Sequence, residues 1–177
     1  MLFRSLYAPK GVGVLCLRDG LRLPNLLHGA DHEQGRRPGT ENTLEIVGLG
    51  CACELVAADL AADGERLRHL RDRLAASLLA ANGELRINGH PTERLPNTLS
   101  VSAPGKVAAE LLAQLPELAL SAGAACHGEG EIGSHVLAAM GVEAHHARGT
   151  LRISLGRMTT ADEITRATSV LVRVLGK

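Results

Sequence analysis

The 177-residue sequence has almost no aromatic residues: Phe3 and Tyr7 are present and tryptophan is absent. Any core must therefore be aliphatic, and apolar residues still make up 45% of the chain, which is enough for a packed domain. Net charge is absent too, because 19 Lys and Arg residues balance 19 Asp and Glu residues. A neutral chain gives no electrostatic reason to expect a nucleic-acid-binding protein.

Long hydrophobic runs are also missing. No stretch approaches the roughly 18 consecutive apolar residues of a membrane-spanning helix. The opening residues, MLFRSLYAPKG, do not resemble a secretory leader. The four cysteines, Cys16, Cys51, Cys53 and Cys126, follow no disulfide-framework spacing. We therefore expect a cytoplasmic protein with reduced thiols and no membrane partner.

The order of predicted elements indicates an α/β fold. Val12 to Leu17 is predicted as a strand closed by the turn Asp19-Gly20, with no partner strand nearby in sequence. Helical spacing begins at Asn42. A second amphipathic helix, with Leu67, Leu70, Leu74 and Leu78 on one stripe, ends near Ala81. From about Leu85, strands and helices alternate as in a compact α/β sandwich. The elements predicted there are strands in ELRIN, NTLSVS, ELALS and TLRISL, and helices near residues 107–115, 134–140 and 160–176. Thr160 and Glu163 stand at the spacing of a capping box at the start of the last helix.

Cys126 lies between small residues and a glycine-rich run. Gly123-Ala124-Ala125 precedes it, and further glycines follow it at 128, 130 and 133. Such neighbours favour exposure, and adjacent His127 favours the thiolate, whereas acidic residues at 129 and 131 oppose it. The residues alone leave two interpretations open, a reactive thiol and an inert packed cysteine.

Histidine is frequent enough to raise the question of a metal site. The candidate ligands are His28, His32, His90, His127, His135, His145 and His146. However, the sequence contains neither a CxxC pair nor an HExxH helix. The spacing does not support a closed zinc site, and no metal is predicted.

Two residues are candidate anion-binding groups. Arg152 alternates with Leu151 and Ile153 in the predicted strand, so it lies on the opposite face from them. It is either a surface arginine or a carboxylate-binding residue, because a planar guanidinium binds a carboxylate through two hydrogen bonds. Thr40 stands just before a predicted helix start. It either caps that helix, the simpler interpretation, or presents its hydroxyl to an anion such as phosphate.

Several segments together resemble the cysteine desulfurase and selenocysteine lyase family. These are NifS-type, pyridoxal-phosphate-dependent enzymes of the class V aminotransferase group, with fold type I. The matching segments are YAPKGVGVLCLR, HGADHEQGRRPGTENTLEIVGLGCACEL, LPNTLSVS, ELALSAGAACHGEGEIGSHVLAAMG and GTLRISLGRMTTADEI. They occur in family order and at family-like spacing over nearly the whole chain.

The resemblance implies that the chain corresponds to the C-terminal half of such an enzyme. Residues 1–42 would be a strand-bearing remnant of the large, cofactor-binding domain and a cross-subunit loop. Residues 43–84 would be connecting helices, and residues 85–177 the C-terminal small domain, an α/β sandwich. The family also implies a homodimer.

The resemblance further implies a role for each candidate. Cys126 matches the nucleophile that accepts sulfur, or assists with selenium, from the substrate. Arg152 matches the arginine that holds the substrate α-carboxylate, and Thr40 matches the threonine that reaches the pyridoxal phosphate of the other subunit. The implied reaction removes sulfur or selenium from L-cysteine or L-selenocysteine, leaving L-alanine. The chalcogen would pass to an acceptor protein such as an iron–sulfur scaffold.

One departure from the family pattern concerns the cofactor. The family has a His-Lys pair, whose lysine forms the Schiff base, where this sequence has Arg4 and Ser5. The lysines present, Lys10, Lys106 and Lys177, stand elsewhere. We therefore expect the chain to be truncated, inactive alone and unable to bind pyridoxal phosphate by itself. The alternatives are a non-enzymatic sulfur-relay or binding module that keeps Cys126 as carrier, and a truncated gene product without a function of its own.

Overall fold

The computed structural model describes residues 6–123 and 134–176. The chain divides into two compact units, Leu2–Leu60 and Ala61–Lys177. The three-part division at residues 42 and 84 stays a prediction. In chain order the elements are α1 (His32–Gly35), α2 (Thr43–Ala81), β1 (Arg86–Ile87), β2 (Thr98–Ser102), α3 (Ala108–Ala113), β3 (Ser121–Ala122), α4 (His135–Ala139), α5 (Ala144–Ala147), β4 (Thr150–Ser154) and α6 (Ala161–Leu175).

The strand predicted at Val12 to Leu17 does not form, and this prediction was wrong. Those residues pair with no other strand and are mostly exposed. Because no strand occurs among the described residues of the first unit, their backbone groups have no ladder partner there. The turn at Asp19-Gly20 is confirmed: Leu21 N donates to Arg18 O at 3.1 Å, and Gly20 has a φ of 82°, which favours glycine.

Helix α2 corrects a second prediction. The two helices expected in this region are one continuous helix of 39 residues. Its C-terminal part buries the predicted leucine stripe, with Leu74 and Leu78 both 0% exposed. Glycines at 48, 50 and 64 do not interrupt it, since a glycine inside a helix costs only about 1 kcal/mol relative to alanine.

A four-stranded antiparallel sheet in the order β1-β2-β4-β3 organises the second unit. Strand β4 pairs with β2 over five residues, which places Leu99 opposite Ile153 and Val101 opposite Leu151. Directly paired residues point to the same side of a sheet. These four side chains therefore form one apolar face, and all are buried.

Three helices supply the other half of the core. Residues of α2, of α3 with the segment after it, and of α6 join the apolar face in one buried cluster; they are Leu74, Leu78, Ala108, Leu111, Leu115, Ile164, Leu171 and Leu175. The core is aliphatic, as the near absence of aromatic residues predicted. No helix among the described residues is long and apolar enough to cross a membrane.

Helix α6 begins with the capping box that its sequence encodes. The Thr160 hydroxyl accepts a hydrogen bond from Glu163 N at 3.2 Å, and the Glu163 carboxylate accepts one from Thr160 N at 2.8 Å. The backbone hydrogen bond, together with one from the Thr160 hydroxyl, lowers the pKa of the Glu163 carboxyl. The ionised carboxylate is thus part of the cap.

Two shorter elements differ from expectation. The strand predicted in ELALS is reduced to β3, because Leu118 N and Leu120 N donate to nearby backbone oxygens, of Leu115 and Leu118, instead of to a neighbouring strand. Helix α5, a single turn, was not predicted. It lies two residues before β4 and brings a polar segment to the end of the central strand.

Candidate functional site

The face of the sheet opposite the core is polar, and Arg152 lies at its centre. In the middle of β4, Arg152 pairs with Ser100 of β2 on one side and Ser121 of β3 on the other. Arg152 is half-buried, whereas its neighbours Leu151 and Ile153 are buried on the apolar face, as the strand alternation predicted. The guanidinium is therefore carried on a face of hydroxyl groups, by a strand that is hydrogen-bonded along both edges.

A chain of hydrogen bonds connects buried polar groups on the same face. Asn88 Nδ2 donates to Ser102 Oγ at 2.8 Å, and Ser102 Oγ lies 2.7 Å from Thr150 Oγ1. The Thr150 hydroxyl donates to the backbone oxygen of His146 at 3.2 Å. Because a hydroxyl has one hydrogen, Thr150 must accept from Ser102. The chain therefore runs in one direction, from Asn88 through Ser102 and Thr150 to His146.

Two arginines hold the backbone at the start of this chain. Arg94 Nη2 donates to Asn88 O at 3.0 Å. Arg71 of α2, 4% exposed, donates to Leu95 O at 2.8 Å and pairs with Asp72. Burial and, second, repulsion from Arg71 lower the pKa of Arg94, while Asp72 opposes the shift. These contacts fix the loop that carries Asn88.

Sequence reasoning found Arg152 but missed the network around it. The signal was available in the strands NTLSVS and TLRISL, where serine, threonine and arginine alternate with leucine, valine and isoleucine. Two adjacent strands with this alternation predict a polar face. What the pattern could not supply was the pairing register that sets Ser102 opposite Thr150.

Thr40 lies in the first unit and is exposed. Gly39, with a φ of 98°, turns the chain immediately before it, and α2 begins three residues later at Thr43. In the described part of the chain the Thr40 side chain makes no hydrogen bond to α2, whose first turn is closed by backbone contacts such as Ile46 N to Asn42 O at 3.0 Å.

The third candidate, Cys126, lies outside the described residues, together with the glycine-rich run after it. The described cysteines, Cys16, Cys51 and Cys53, are free and exposed. Arg152 belongs to the second unit and Thr40 to the first. Arg152 is thus the candidate with the best-defined surroundings.

Comparison with known proteins shows a family for the chain as a whole. The family model described as aminotransferase class-V matches residues 4–167. A cysteine desulfurase from Frankia sp. (strain EuIK1) is 43% identical over 175 residues, which cover 97% of this chain and 42% of that protein. A solved structure titled NifS-like protein has a TM-score of 0.84 and 32% identity, over 96% of this chain and 44% of that one.

A further solved structure, titled SspA in complex with cysteine, has a TM-score of 0.56 and 30% identity, over 85% of this chain and 41% of that one. In each of these comparisons the present chain spans less than half the length of the relative.

Proposed function

The chain belongs to the aminotransferase class-V family, and we propose that it supplies the substrate-carboxylate site and the sulfur-accepting cysteine of a cysteine desulfurase. The proposed reaction removes sulfur from L-cysteine and leaves L-alanine, with L-selenocysteine as the analogous substrate. In this assignment Arg152 holds the substrate, and Cys126 receives the sulfur and passes it to an acceptor protein such as an iron–sulfur scaffold.

The position of Arg152 carries the proposal. Arg152 stands on an inner strand between Ser100 and Ser121, and its backbone cannot shift without breaking the hydrogen bonds to both neighbouring strands. Its guanidinium carries parallel N–H donors. A carboxylate accepts such donors in pairs, and a hydrogen bond to a charged group contributes roughly 1.5–3 kcal/mol. The solved relative whose title names bound cysteine supports the choice of substrate.

Pyridoxal phosphate is the cofactor of this family, and the residues of this chain do not by themselves fit it. Thr40 is the one candidate phosphate contact, which we propose acts on the cofactor of a partner subunit in a homodimer. The sequence has Ser5 where the family has its cofactor-binding lysine, and Lys10 and Lys106 are exposed side chains in turns. We therefore assign no chemical step through the cofactor to this chain. Its own contributions are carboxylate binding and sulfur acceptance.

The proposal is tested by completing the site. The Frankia cysteine desulfurase segment that this chain does not cover is fused ahead of it. We expect the chimera, supplied with pyridoxal phosphate, to form alanine from L-cysteine, and we expect the 177-residue chain alone to form none. Alanine is quantified, and persulfide is detected by mass spectrometry. The same assay with L-selenocysteine compares the two substrates.

Matched variants of the chimera separate the two roles. Arg152→Gln should raise the KM for cysteine at least about tenfold, given the energy of a charged hydrogen bond. Arg148→Gln, at an exposed arginine just ahead of β4, should leave it unchanged. Cys126→Ser should abolish persulfide formation, whereas Cys51→Ser, which removes an exposed thiol, should not.

Two outcomes would contradict the proposal. A chimera that folds and binds the cofactor but forms alanine from neither substrate would exclude the desulfurase assignment. A persulfide that appears on Cys126 only when a separate desulfurase and cysteine are added would assign the chain to sulfur relay instead.

A further inference from the structure

A cluster of metal-ligating side chains lies at the start of α5, outside the carboxylate site. Glu143, His145 and His146 offer one carboxylate oxygen and two imidazole nitrogens that all lie within 4.8 Å of one another. His145 Nδ1 is 3.3 Å from Glu143 Oε2, and His146 Nδ1 is 3.9 Å from the same oxygen. The desulfurase assignment uses none of these three side chains.

Local backbone geometry brings the three groups together. Glu143 is the N-cap residue of α5, in an extended conformation with φ −62° and ψ 146°. Side chains in a helix lean back toward its N-terminus, so the imidazoles of His145 and His146 lean toward the Glu143 carboxylate. The two rings lie 4.0 Å apart between centroids and are tilted by 48°.

His146 is held more firmly than a surface histidine usually is. Its backbone oxygen receives the last hydrogen bond of the chain from Asn88, donated by the Thr150 hydroxyl at 3.2 Å. Its Nδ1 atom is buried and has no hydrogen-bond partner within the described part of the chain. Buried polar atoms are nearly always paired, so this nitrogen needs an additional partner.

The other two ligands remain open to solvent. The side chains of His145 and Glu143 are 56% and 68% exposed, which leaves a route for an ion from solution. Tetrahedral coordination with ligand bonds of about 2.0–2.1 Å separates ligand atoms by roughly 3.4 Å. The two nitrogen–oxygen distances of 3.3 and 3.9 Å are close to this value. The third separation, between the two imidazole nitrogens, is at most 4.8 Å.

We propose that Glu143, His145 and His146 bind a zinc-like divalent metal ion, with water at the remaining coordination position. Imidazole nitrogens suit Zn²⁺ and its neighbours in the transition series, whereas Mg²⁺ and Ca²⁺ require mainly oxygen ligands. Three protein ligands and a water make an open site. The absence of CxxC and HExxH spacing predicted no metal, but Glu143-Ala144-His145-His146 brings its ligands together within one helical turn without either spacing.

The test is a calorimetric titration of the chelator-treated 177-residue chain with Zn²⁺ and with Mg²⁺. We expect one Zn²⁺ ion per chain and no Mg²⁺ binding. Glu143→Gln and His145→Ala, both at exposed side chains, should each weaken Zn²⁺ binding at least about tenfold, because each removes one of three ligands. Far-UV circular dichroism checks that both variants are folded.

Two control variants exclude other ligands. His69→Ala removes an exposed histidine whose Nε2 is 2.8 Å from Glu65 Oε1. This pair offers two metal ligands rather than three, so the change should leave Zn²⁺ affinity unchanged. Cys126→Ser should also leave it unchanged. The proposal is overturned if no Zn²⁺ binds, if Glu143→Gln and His145→Ala bind as the unmodified chain does, or if either control removes the binding.

Discussion

Replacement of Thr150 by valine should destabilise the sheet-bearing unit, because Thr150 is the central link of its buried hydrogen-bond chain. Thr150 is 0% exposed, accepts from Ser102 Oγ at 2.7 Å and donates to His146 O at 3.2 Å. Valine has nearly the same shape, so the change removes the hydroxyl group with little effect on packing.

The expected magnitude follows from the groups left behind. Thr150→Val removes two hydrogen bonds, and it leaves the hydroxyl hydrogen of Ser102 without its acceptor in a site that is 0% exposed. An unsatisfied buried donor costs about 1–3 kcal/mol. The added methyl group offsets part of this loss, since burying one carbon contributes about 0.8 kcal/mol. We expect the free energy of unfolding to fall by about 1–3 kcal/mol.

A double-mutant cycle with Ser102→Ala isolates the hydrogen bond. Urea unfolding followed by far-UV circular dichroism gives the free energy of unfolding for the unmodified chain, both single variants and the double variant. Once the Ser102 hydroxyl is gone, Thr150→Val no longer strands a donor. It should then cost at least about 0.5 kcal/mol less than it does in the unmodified chain.

Additivity would refute the reasoning. If the two changes add to within about 0.3 kcal/mol, the Ser102–Thr150 contact contributes nothing to stability. The Ser102–Thr150 link of the hydrogen-bond chain would then be refuted as a source of stability.

Four further substitutions test other parts of the fold. Gly149→Ala places a Cβ atom against the backbone oxygen of Ala103 and should cost about 1–3 kcal/mol in urea unfolding, whereas Gly64→Ala, in an open part of α2, should gain about 0.5–1 kcal/mol. Thr160→Ala removes the N-cap of α6 and should lower stability by about 1 kcal/mol. The folded-state pKa of Glu163 is lowered, so the stability that its carboxylate contributes is present above the ordinary value of 4.5 and is lost as pH falls through the folded pKa. Thermal unfolding across acidic pH should show this loss in the unmodified chain, and Glu163→Gln should lack it.

Local pattern was sufficient where neighbouring residues decide the conformation. The alternation in TLRISL predicted that Arg152 faces away from Leu151 and Ile153, because successive strand residues point to opposite sides. Thr160 and Glu163 predicted the start of α6 for a similar reason, since a capping box closes within one turn. The resemblance to class V aminotransferases and the α/β fold that it implies are confirmed by the family match and by the NifS-like structure.

Tertiary structure decided what depends on distant partners. Val12 to Leu17 has strand-like composition but forms no strand, because a strand needs a ladder partner and composition does not supply one. The two helices predicted before residue 82 are one helix. Each glycine inside it costs only about 1 kcal/mol relative to alanine, and its C-terminal part is held in the core by Leu74 and Leu78.

The polar chemistry of the second unit shows the same division. By itself the sequence determined which face of β4 carries Arg152 and which residue types lie on it. Only the pairing of β2 with β4 set Ser102 against Thr150, and only the N-cap geometry of α5 turned His145 and His146 toward Glu143. Hydrogen bonds and metal coordination depend on distances of a few tenths of an ångström, which are set once strands and caps are assembled in three dimensions.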